Sequence, residues 1–219
     1  MKLTLFDLDH TVLNGDSDVL WCDFLIEKGL LGKTEFTARN ADMAARYKAG
    51  TVGLKEFADF YVGTLAGRTV QQWEPLRQEF LAKWIVPRIT PAAVALVDKH
   101  LEAGDLVVMT TATNRFITEL TAIYFDIEHL IATEPEMRGD LFTGSTTGVL
   151  NMREGKVERL HAWLTARGLH FKDCKSTAYS DSINDLPLLE AVKHPVMVNA
   201  DATLAAIGGE RGWPSLRLH

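Results

Sequence analysis

The fold of this chain is decided by residues 3–11, which read LTLFDLDHT. Residues 3–6 are mostly apolar, which predicts a short buried central strand, and acids follow it directly. Because residues two apart point to the same side of an extended backbone, Asp7 and Asp9 can face one site. Ligands of open α/β sheets bind beyond the carboxyl ends of the strands. The stretch therefore indicates a site where paired acids bind a hard cation or one of them acts as a nucleophile, with a solvated acidic turn as the alternative.

The remainder of the chain alternates predicted strands and helices, apart from one long helical stretch at 16–86 that Pro87 brings to an end. Predicted strands follow at 106–110, 127–132, 175–179 and 195–198, a hairpin within 139–152, and helices at 92–103, 114–124, 155–167 and 186–191. This order predicts an α/β fold: a doubly wound, Rossmann-like parallel sheet with a small helical cap domain inserted after the first strand. We expect a core domain of residues 1–15 and 87–219 and a cap domain of residues 16–86.

The composition narrows the class of protein. Of 219 residues, 47% are hydrophobic and 24% are charged, as in a globular protein with a sizeable core. The formal net charge of −6, without a run of Lys or Arg, argues against nucleic acid as a partner. No stretch approaches the ~18 consecutive apolar residues of a membrane helix, and Asp7 and Asp9 interrupt the apolar N-terminus before it could serve as a signal peptide. We expect a cytoplasmic enzyme without a membrane partner, and the oligomeric state does not follow from the sequence.

Three further groups of residues are suited to act with the first acids. Residues 180–185 read SDSIND after a predicted strand, and helix capping would explain one or two of these acids but not the cluster. Residues 110–114 read TTATN at the end of another strand, where hydroxyls and backbone N–H groups can hold phosphate oxygens or simply cap the next helix. Lys156 begins a predicted helix. A lone lysine is more often solvated, but acids that handle phosphate need a fixed cation.

Together and in this order, these groups resemble the four motifs of the haloacid dehalogenase (HAD) superfamily of aspartate-based phosphatases. The motif residues are Asp7, Asp9, Thr11, Thr111, Lys156, Asp181 and Asp185. Thr110 is an alternative to Thr111 as the motif hydroxyl. The resemblance covers almost the whole chain, and the helical insertion is similar to the cap of subfamily IB, which contains the phosphoserine phosphatases.

The resemblance implies a phosphomonoester hydrolase that works through a covalent intermediate. Asp7 would attack phosphorus to form an aspartyl-phosphate, and Asp9 would protonate the leaving alcohol and then activate water. Thr111 and Lys156 would hold the phosphoryl oxygens. Because an anionic nucleophile and a phosphate repel each other, such a site needs a cation and preorganised donors.

The resemblance also implies Mg²⁺ as the cofactor. The Asp7 side chain, the Asp9 main-chain carbonyl and Asp181 would bind the ion. Asn184 and Asp185 would support these ligands.

By the same resemblance, the cap determines which small phosphorylated metabolite is the substrate. Asp16 lies where an acid faces the substrate amine in phosphoserine phosphatases, and Arg46 is a possible partner for a substrate carboxylate; either residue can also be an ordinary surface charge. Thr111-Ala112-Thr113 replaces the Ser-Gly-Gly turn of those enzymes, which weakens an assignment to phosphoserine itself. Phosphoserine, histidinol phosphate and other amino-alcohol phosphates all fit an acidic cap residue. Four aromatic residues at helical spacing are expected in the cap core, namely Trp21, Phe24, Phe57 and Phe60.

Two other functions use similar residues. A phosphotransferase or mutase needs the same core and differs only in the group that accepts the phosphoryl. A non-enzymatic phospho-receiver also combines acids, a hydroxyl and a lysine, but it has no large helical cap and no acid at the position of Asp9. Hydrolysis is therefore the favoured expectation.

Overall fold

The computed structural model describes residues 1–219, with every side chain except that of Lys48. One sheet of seven strands runs through the molecule in the order β4-β3-β2-β1-β5-β6-β7. The strands are β1 (Lys2–Phe6), β2 (Leu106–Asn114), β3 (His129–Arg138), β4 (Leu141–Thr147), β5 (Lys175–Ser180), β6 (His194–Val198) and β7 (Ser215–Leu216). The helices are α1 (Ser17–Glu27), α2 (Lys33–Lys48), α3 (Leu54–Val62), α4 (Val70–Phe80), α5 (Pro91–Glu102), α6 (Arg115–Tyr124), α7 (Glu154–Thr165), α8 (Leu186–Ala191) and α9 (Ala202–Glu210).

The first strand lies in the middle of the sheet, as its apolar sequence predicts. β1 pairs in parallel with β2 on one side and with β5 on the other. All neighbouring pairs are parallel except β3 and β4, which form an antiparallel hairpin at one edge. The hairpin was predicted within 139–152, but only its second strand lies there, because the strand predicted at 127–132 continues to Arg138 and provides the first. The doubly wound α/β prediction is confirmed, with the difference that this edge makes the sheet mostly, not wholly, parallel.

Apolar side chains alternate between the two faces of the sheet and bury both. Val107 and Met109 of β2 belong to a cluster that includes residues of α5 and α6, whereas Val108 packs with α7, α8 and α9. This alternation follows from the two-residue period of a strand. Helices on both faces therefore leave the carboxyl ends of the strands as the open edge of the sheet, where a site can form.

The helical insertion, α1 to α4, is joined to the core by a shared apolar cluster and by backbone hydrogen bonds. Trp21, Phe24 and Phe80 pack in the same cluster as Phe6 at the end of β1. A smaller cluster of Cys22, Phe36 and Tyr61, with Phe57 and Phe60 against it, belongs to the insertion alone. The insertion also contacts the β3–β4 hairpin through two backbone hydrogen bonds. The Phe142 N–H donates to the Arg68 carbonyl, and the Phe142 carbonyl accepts from the Gly67 N–H. The division into domains at 15/16 and 86/87 stays a prediction.

Two elements after residue 198 were not predicted from the sequence. β7 contains two residues, too few for a period to be detected, and α9 reads ATLAAIGGE, which has no apolar stripe at helical spacing. β7 extends the sheet beyond β6, and α9 packs on one face of the sheet through Leu204.

Among the described residues, no single helix has the length and apolar character of a membrane span. The helical segments Val70–Arg88 and Pro91–Glu102 reach that measure only as a pair, which is bent by 99° between them.

Candidate active site

The site begins with a lysine buried between two acids at the carboxyl end of the sheet. Lys156 in the first turn of α7 donates to Asp7 Oδ1 at 2.7 Å and to Asp185 Oδ2 at 2.6 Å. Gly155 makes this position possible, because a Cβ there would overlap the carbonyl oxygen of Leu150. Burial alone would lower the pKa of Lys156, but Asp185 and Asp7 outweigh it and raise that pKa. The lysine is therefore a fixed cation.

Asp7 and Asp181 face each other across one hydroxyl group. Thr11 Oγ1 lies 3.0 Å from Asp7 Oδ2 and 3.1 Å from Asp181 Oδ1. A hydroxyl carries one proton, so it can donate to only one of these carboxylates at a time. Burial and the neighbouring acids raise the pKa of Asp7 to about 7, against the opposing effect of Lys156, and burial with the charge of Asp7 raises the pKa of Asp181 to about 8. Such a pair of acids is stabilised by a bound cation.

Two carboxylates and a nearby backbone carbonyl are the donors that the site offers to a hard metal ion. Among the described residues, no three His, Cys, Asp or Glu side chains are grouped as metal ligands. Two carboxylates, those of Asp7 and Asp181, share the hydroxyl of Thr11, and Asp9 is two residues further along the chain from Asp7. Carboxylate and carbonyl oxygens, completed by water and substrate, are the ligands that Mg²⁺ prefers.

Asp9 is held by the start of helix α1 and by the carboxyl end of strand β2. Its Oδ1 accepts from the Ser17 N–H at 2.7 Å, and its Oδ2 accepts from Thr113 Oγ1 at 2.9 Å. Thr111 Oγ1 lies 3.4 Å from the same Oδ2. Burial and the charge of Asp16 raise the pKa of Asp9 to about 6, although the hydrogen bonds from Ser17 and Thr113 oppose the rise. This value is suitable for both giving and taking a proton near neutral pH.

The two threonines that the sequence left as alternatives point in different directions. Thr110 Oγ1 accepts from the buried amide of Asn151 at 2.9 Å. Thr111 Oγ1 faces Asp9 and accepts from the Thr113 N–H at 3.2 Å. Of the two hydroxyls, that of Thr111 is the one beside Asp9. Asn151 also donates to the carbonyl oxygen of Thr111 and so helps to hold the end of β2 in place.

A cavity of about 280 Å³ opens above these groups and extends under the helical insertion. Asp16 and Asp18 line it on one side, and aromatic rings of Tyr47, Phe57 and Tyr61 line it from α2 and α3. Asp16 also caps α1, since its Oδ1 accepts from the Val19 N–H at 3.0 Å. Phe57, expected in the cap core, contacts Tyr47 and Tyr61 and in addition forms part of this wall.

Of two residues that the sequence placed around the site, Arg46 lies outside the cavity and Asn184 lines it. The guanidinium of Arg46 is ion-paired with Glu56 at 2.7 Å and with Asp42 at 3.8 Å, and Arg46 does not line the cavity. The expectation that Arg46 faces a substrate carboxylate is therefore corrected: two nearby acids hold it on the outer surface of the insertion. Asn184 lines the cavity, with its Oδ1 3.3 Å from Arg153 Nε.

Sequence reasoning did not identify three side chains that shape this site. Thr113 donates to Asp9, Ser180 Oγ donates to Asp185 Oδ2 at 2.7 Å, and Asp18 lines the cavity beside Asp16. The two-residue spacing of Thr113 from Thr111 at the end of a strand was a usable signal. Asp18 gave no such signal, because an acid in the first turn of a helix is common on any surface.

Comparison with known proteins agrees with this arrangement. A family model described as haloacid dehalogenase-like hydrolase matches residues 4–190. A histidinol-phosphatase of Neisseria meningitidis is 39% identical over 217 residues, which cover 98% of this chain and 98% of that protein. A phosphoserine phosphatase of Mycobacterium tuberculosis is 31% identical over 216 residues, which cover 95% of this chain and 68% of that protein.

Solved structures share the fold. A protein of unknown function from Bordetella pertussis superposes with a TM-score of 0.96 at 43% identity, over 100% of this chain and 99% of that one. A substrate-bound phosphoserine phosphatase superposes with a TM-score of 0.67 at 15% identity, over 100% and 93% of the two chains, which shows the fold alone.

The chain belongs to the haloacid dehalogenase-like hydrolase family. Within that family it is a phosphatase of the phosphoserine phosphatase-like kind. The family predicted from the four motifs is thereby confirmed.

Proposed function

We propose that the protein hydrolyses small phosphomonoesters in a Mg²⁺-dependent reaction that passes through an aspartyl-phosphate on Asp7. The observation that carries the proposal is the buried lysine between Asp7 Oδ1 and Asp185 Oδ2, at 2.7 and 2.6 Å. A lysine fixed there orients the nucleophile and offers positive charge to a phosphate that approaches it. Thr111 adds a hydroxyl donor for a phosphoryl oxygen.

The proton transfers in this mechanism belong to Asp9. In the first step a bond forms between Asp7 and phosphorus while the bond from phosphorus to the alcohol oxygen breaks, and Asp9 gives its proton to that oxygen. In the second step a water oxygen attacks phosphorus, Asp9 takes the water proton, and the Asp7 carboxylate leaves. General acid–base help of this kind typically contributes ~10²–10⁴-fold. The hydrogen bonds from Ser17 and Thr113 keep the carboxyl of Asp9 oriented for both transfers.

Mg²⁺ would be held by the carboxylates of Asp7 and Asp181 and the main-chain carbonyl of Asp9. When bound, it would supply positive charge that offsets the repulsion between Asp7 and the phosphate. Asp185 supports the site through Lys156, and Asn184 lies at its edge, next to Arg153.

We infer that the substrate is the phosphate of a small alcohol that carries an amine. The names of the two curated relatives refer to histidinol phosphate and phosphoserine, and both are esters of this kind. Asp16 lines the cavity, where an amine would meet its carboxylate. Residues 16–86 would serve as the cap that encloses the substrate, above a core of residues 1–15 and 87–219.

The test is phosphate release from a panel of small phosphomonoesters, with Mg²⁺ and with EDTA, by the wild type and by Asp7→Asn. Asp23→Asn is the matched control, because Asp23 is an exposed acid on α1. We expect the wild type and the control to release phosphate in Mg²⁺ only. In Asp7→Asn the rate of release should fall by a factor on the order of 10⁴ or more. Quenched wild-type samples should show a mass gain of one phosphoryl group on Asp7.

Other outcomes would contradict particular parts of the proposal. Release that persists in Asp7→Asn would exclude Asp7 as the nucleophile. A phosphorylated protein that gives its phosphoryl group to a second alcohol faster than to water would instead identify a phosphotransferase.

A further inference from the structure

Among the described acids that line the cavity, Asp18 is the one with a buried carboxylate oxygen that lacks a protein donor. Its Oδ1 is buried and has no hydrogen-bond partner among the described residues. Its Oδ2 lies 3.2 Å from Thr113 Oγ1, but that hydroxyl is also 2.9 Å from Asp9 Oδ2 and carries one proton. When Thr113 donates to Asp9, both oxygens of Asp18 are left without a donor.

Helix capping does not account for this placement. An acid in the first turn of a helix is favoured by the macrodipole, but that benefit does not require burial. The start of α1 is already capped by Asp16, which accepts from the Val19 N–H. A buried carboxylate without donors is costly unless something binds it. Asp18 lines the substrate cavity, so a bound ligand can be that partner.

The surroundings of Asp18 indicate the chemistry of such a ligand. Asp18 shares with Phe57 and Tyr61 a small side pocket that continues from the main cavity. A carboxylate beside aromatic faces is suited to a flat cationic group that also donates N–H bonds. Asp16, the second acid of this wall, raises the pKa of Asp9 by its charge. The cavity therefore offers two separate acids for two N–H-bearing groups.

The same cavity has little to offer a substrate carboxylate. Among the side chains that the structure describes, Lys156 is the only lysine or arginine that lines it, and Asp7 and Asp185 already bind that lysine. Arg153 does not line the cavity, and its guanidinium donates to Tyr47 Oη at 3.2 Å and to Asn184 Oδ1 at 3.3 Å. A carboxylate on the alcohol part of the substrate would meet Asp16 and Asp18 and be repelled.

We propose that Asp18 determines specificity for phosphate esters whose alcohol carries two N–H-bearing cationic groups, an amine and a flat ring of the imidazole type, and no carboxylate. The amine meets Asp16, and the ring lies against Phe57 and Tyr61 with its N–H donating to the carboxylate of Asp18. This inference rests on the proposed phosphatase function. It favours a histidinol phosphate-like substrate over phosphoserine, which replaces the ring with a carboxylate.

The experiment compares three probes on the wild type, Asp18→Asn and the exposed-site control Asp23→Asn. Histidinol phosphate has both cationic groups, phosphoserine has an amine and a carboxylate, and para-nitrophenyl phosphate has neither. The readout is the ratio of kcat/KM for each amine-bearing ester to kcat/KM for para-nitrophenyl phosphate. A general loss of structure would lower all three values alike and leave the ratio unchanged.

We expect the histidinol phosphate ratio to fall about 10- to 100-fold in Asp18→Asn, mainly through KM, as is usual for a lost hydrogen bond to a charged group. The phosphoserine ratio should change less or rise, and Asp23→Asn should match the wild type. An unchanged histidinol phosphate ratio in Asp18→Asn, or a wild type that prefers phosphoserine, would overturn the proposal.

Calorimetric binding of histidinol, the alcohol without phosphate, separates this proposal from the phosphatase function. If no ester is hydrolysed, the proposed function fails. The role of Asp18 would still be supported if the wild type bound histidinol more tightly than histidine and if Asp18→Asn weakened histidinol binding about 10-fold or more. Equal binding of the two compounds would refute it, and the wild-type comparison alone decides if Asp18→Asn does not fold.

Discussion

Two carboxylates of the helical insertion, Asp18 and Asp59, differ in how many hydrogen-bond donors the protein supplies to them. Asp59 on α3 accepts from Lys55 Nζ at 2.8 Å and, at 2.7 Å each, from the N–H and Oγ1 of Thr146 in the hairpin strand β4. Asp18 on α1 shares one hydroxyl proton with Asp9 and has a buried oxygen with no partner.

The pKa values of the two acids shift in opposite directions. Burial opposes ionisation of Asp59, but the hydrogen bonds from Lys55 and Thr146 outweigh it and lower its pKa. Burial and the charges of Asp16 and Asp9 raise the pKa of Asp18 well above its usual value. We conclude that Asp59 fastens the insertion to the hairpin, whereas Asp18 is held ready for a ligand at a cost to folding.

The largest effect on stability is expected where one lysine forms ion pairs with two buried acids. Lys156→Met leaves Asp7 and Asp185 buried without their shared partner, which should lower the free energy of unfolding by about 3–5 kcal/mol at pH 7. Urea unfolding followed by circular dichroism measures it. A loss below about 1 kcal/mol would mean that these acids are as exposed in solution as ordinary surface carboxylates.

Removal of the satisfied acid should also destabilise the protein. Asp59→Ala deprives Thr146 and Lys55 of their acceptor and should lower the free energy of unfolding by about 1–3 kcal/mol at pH 7. Because the pKa of Asp59 is lowered by folding, its contribution is present above its unfolded pKa and is lost as the pH falls through the folded pKa. Unfolding curves between pH 3 and pH 7 test this, and a loss that is the same at both ends would contradict it.

Removal of the unsatisfied acid should have the opposite sign. Asp18→Asn should raise the free energy of unfolding by about 1 kcal/mol at pH 7 in the absence of ligand, since a buried carboxylate without donors is replaced by a neutral amide. Because folding raises the pKa of Asp18, the folded state binds more protons than the unfolded state. The wild type therefore loses stability as the pH rises from the unfolded pKa of Asp18 to its folded pKa. The variant should lack that part of the slope between pH 4 and pH 8. A destabilised variant would refute the contrast with Asp59.

The smallest effect is expected at the ion pair beside Asp59. Lys55 is 61% exposed, so Lys55→Met should change the free energy of unfolding by no more than about 0.5 kcal/mol, and salt should diminish the difference. A larger, salt-resistant loss would show that the lysine, and not Thr146, fastens Asp59 to the hairpin.

The local pattern around β1 was sufficient to predict much of the fold and part of the site. A short apolar strand followed by Asp7 and Asp9 predicts a central strand with its acids at the carboxyl edge. The same rule applies to Thr111 near the carboxyl end of β2 and to Asp181 after β5, because parallel strands end at one edge. α9 and β7 escaped prediction because neither carries a periodic pattern long enough to detect.

What the sequence determined by itself is therefore the set of residues that local periodicity brings to the edge of the sheet, together with their order. Only the tertiary structure decided which of them meet. Lys156 lies 149 residues from Asp7 along the chain yet donates to it at 2.7 Å, and Thr113 reaches Asp9 across 104 residues. Arg46 pairs with Glu56 away from the cavity, while Asp18 lines it with one carboxylate oxygen buried. The physical reason is that burial and pairing of a charge depend on side chains brought together from distant segments, which no local spacing specifies.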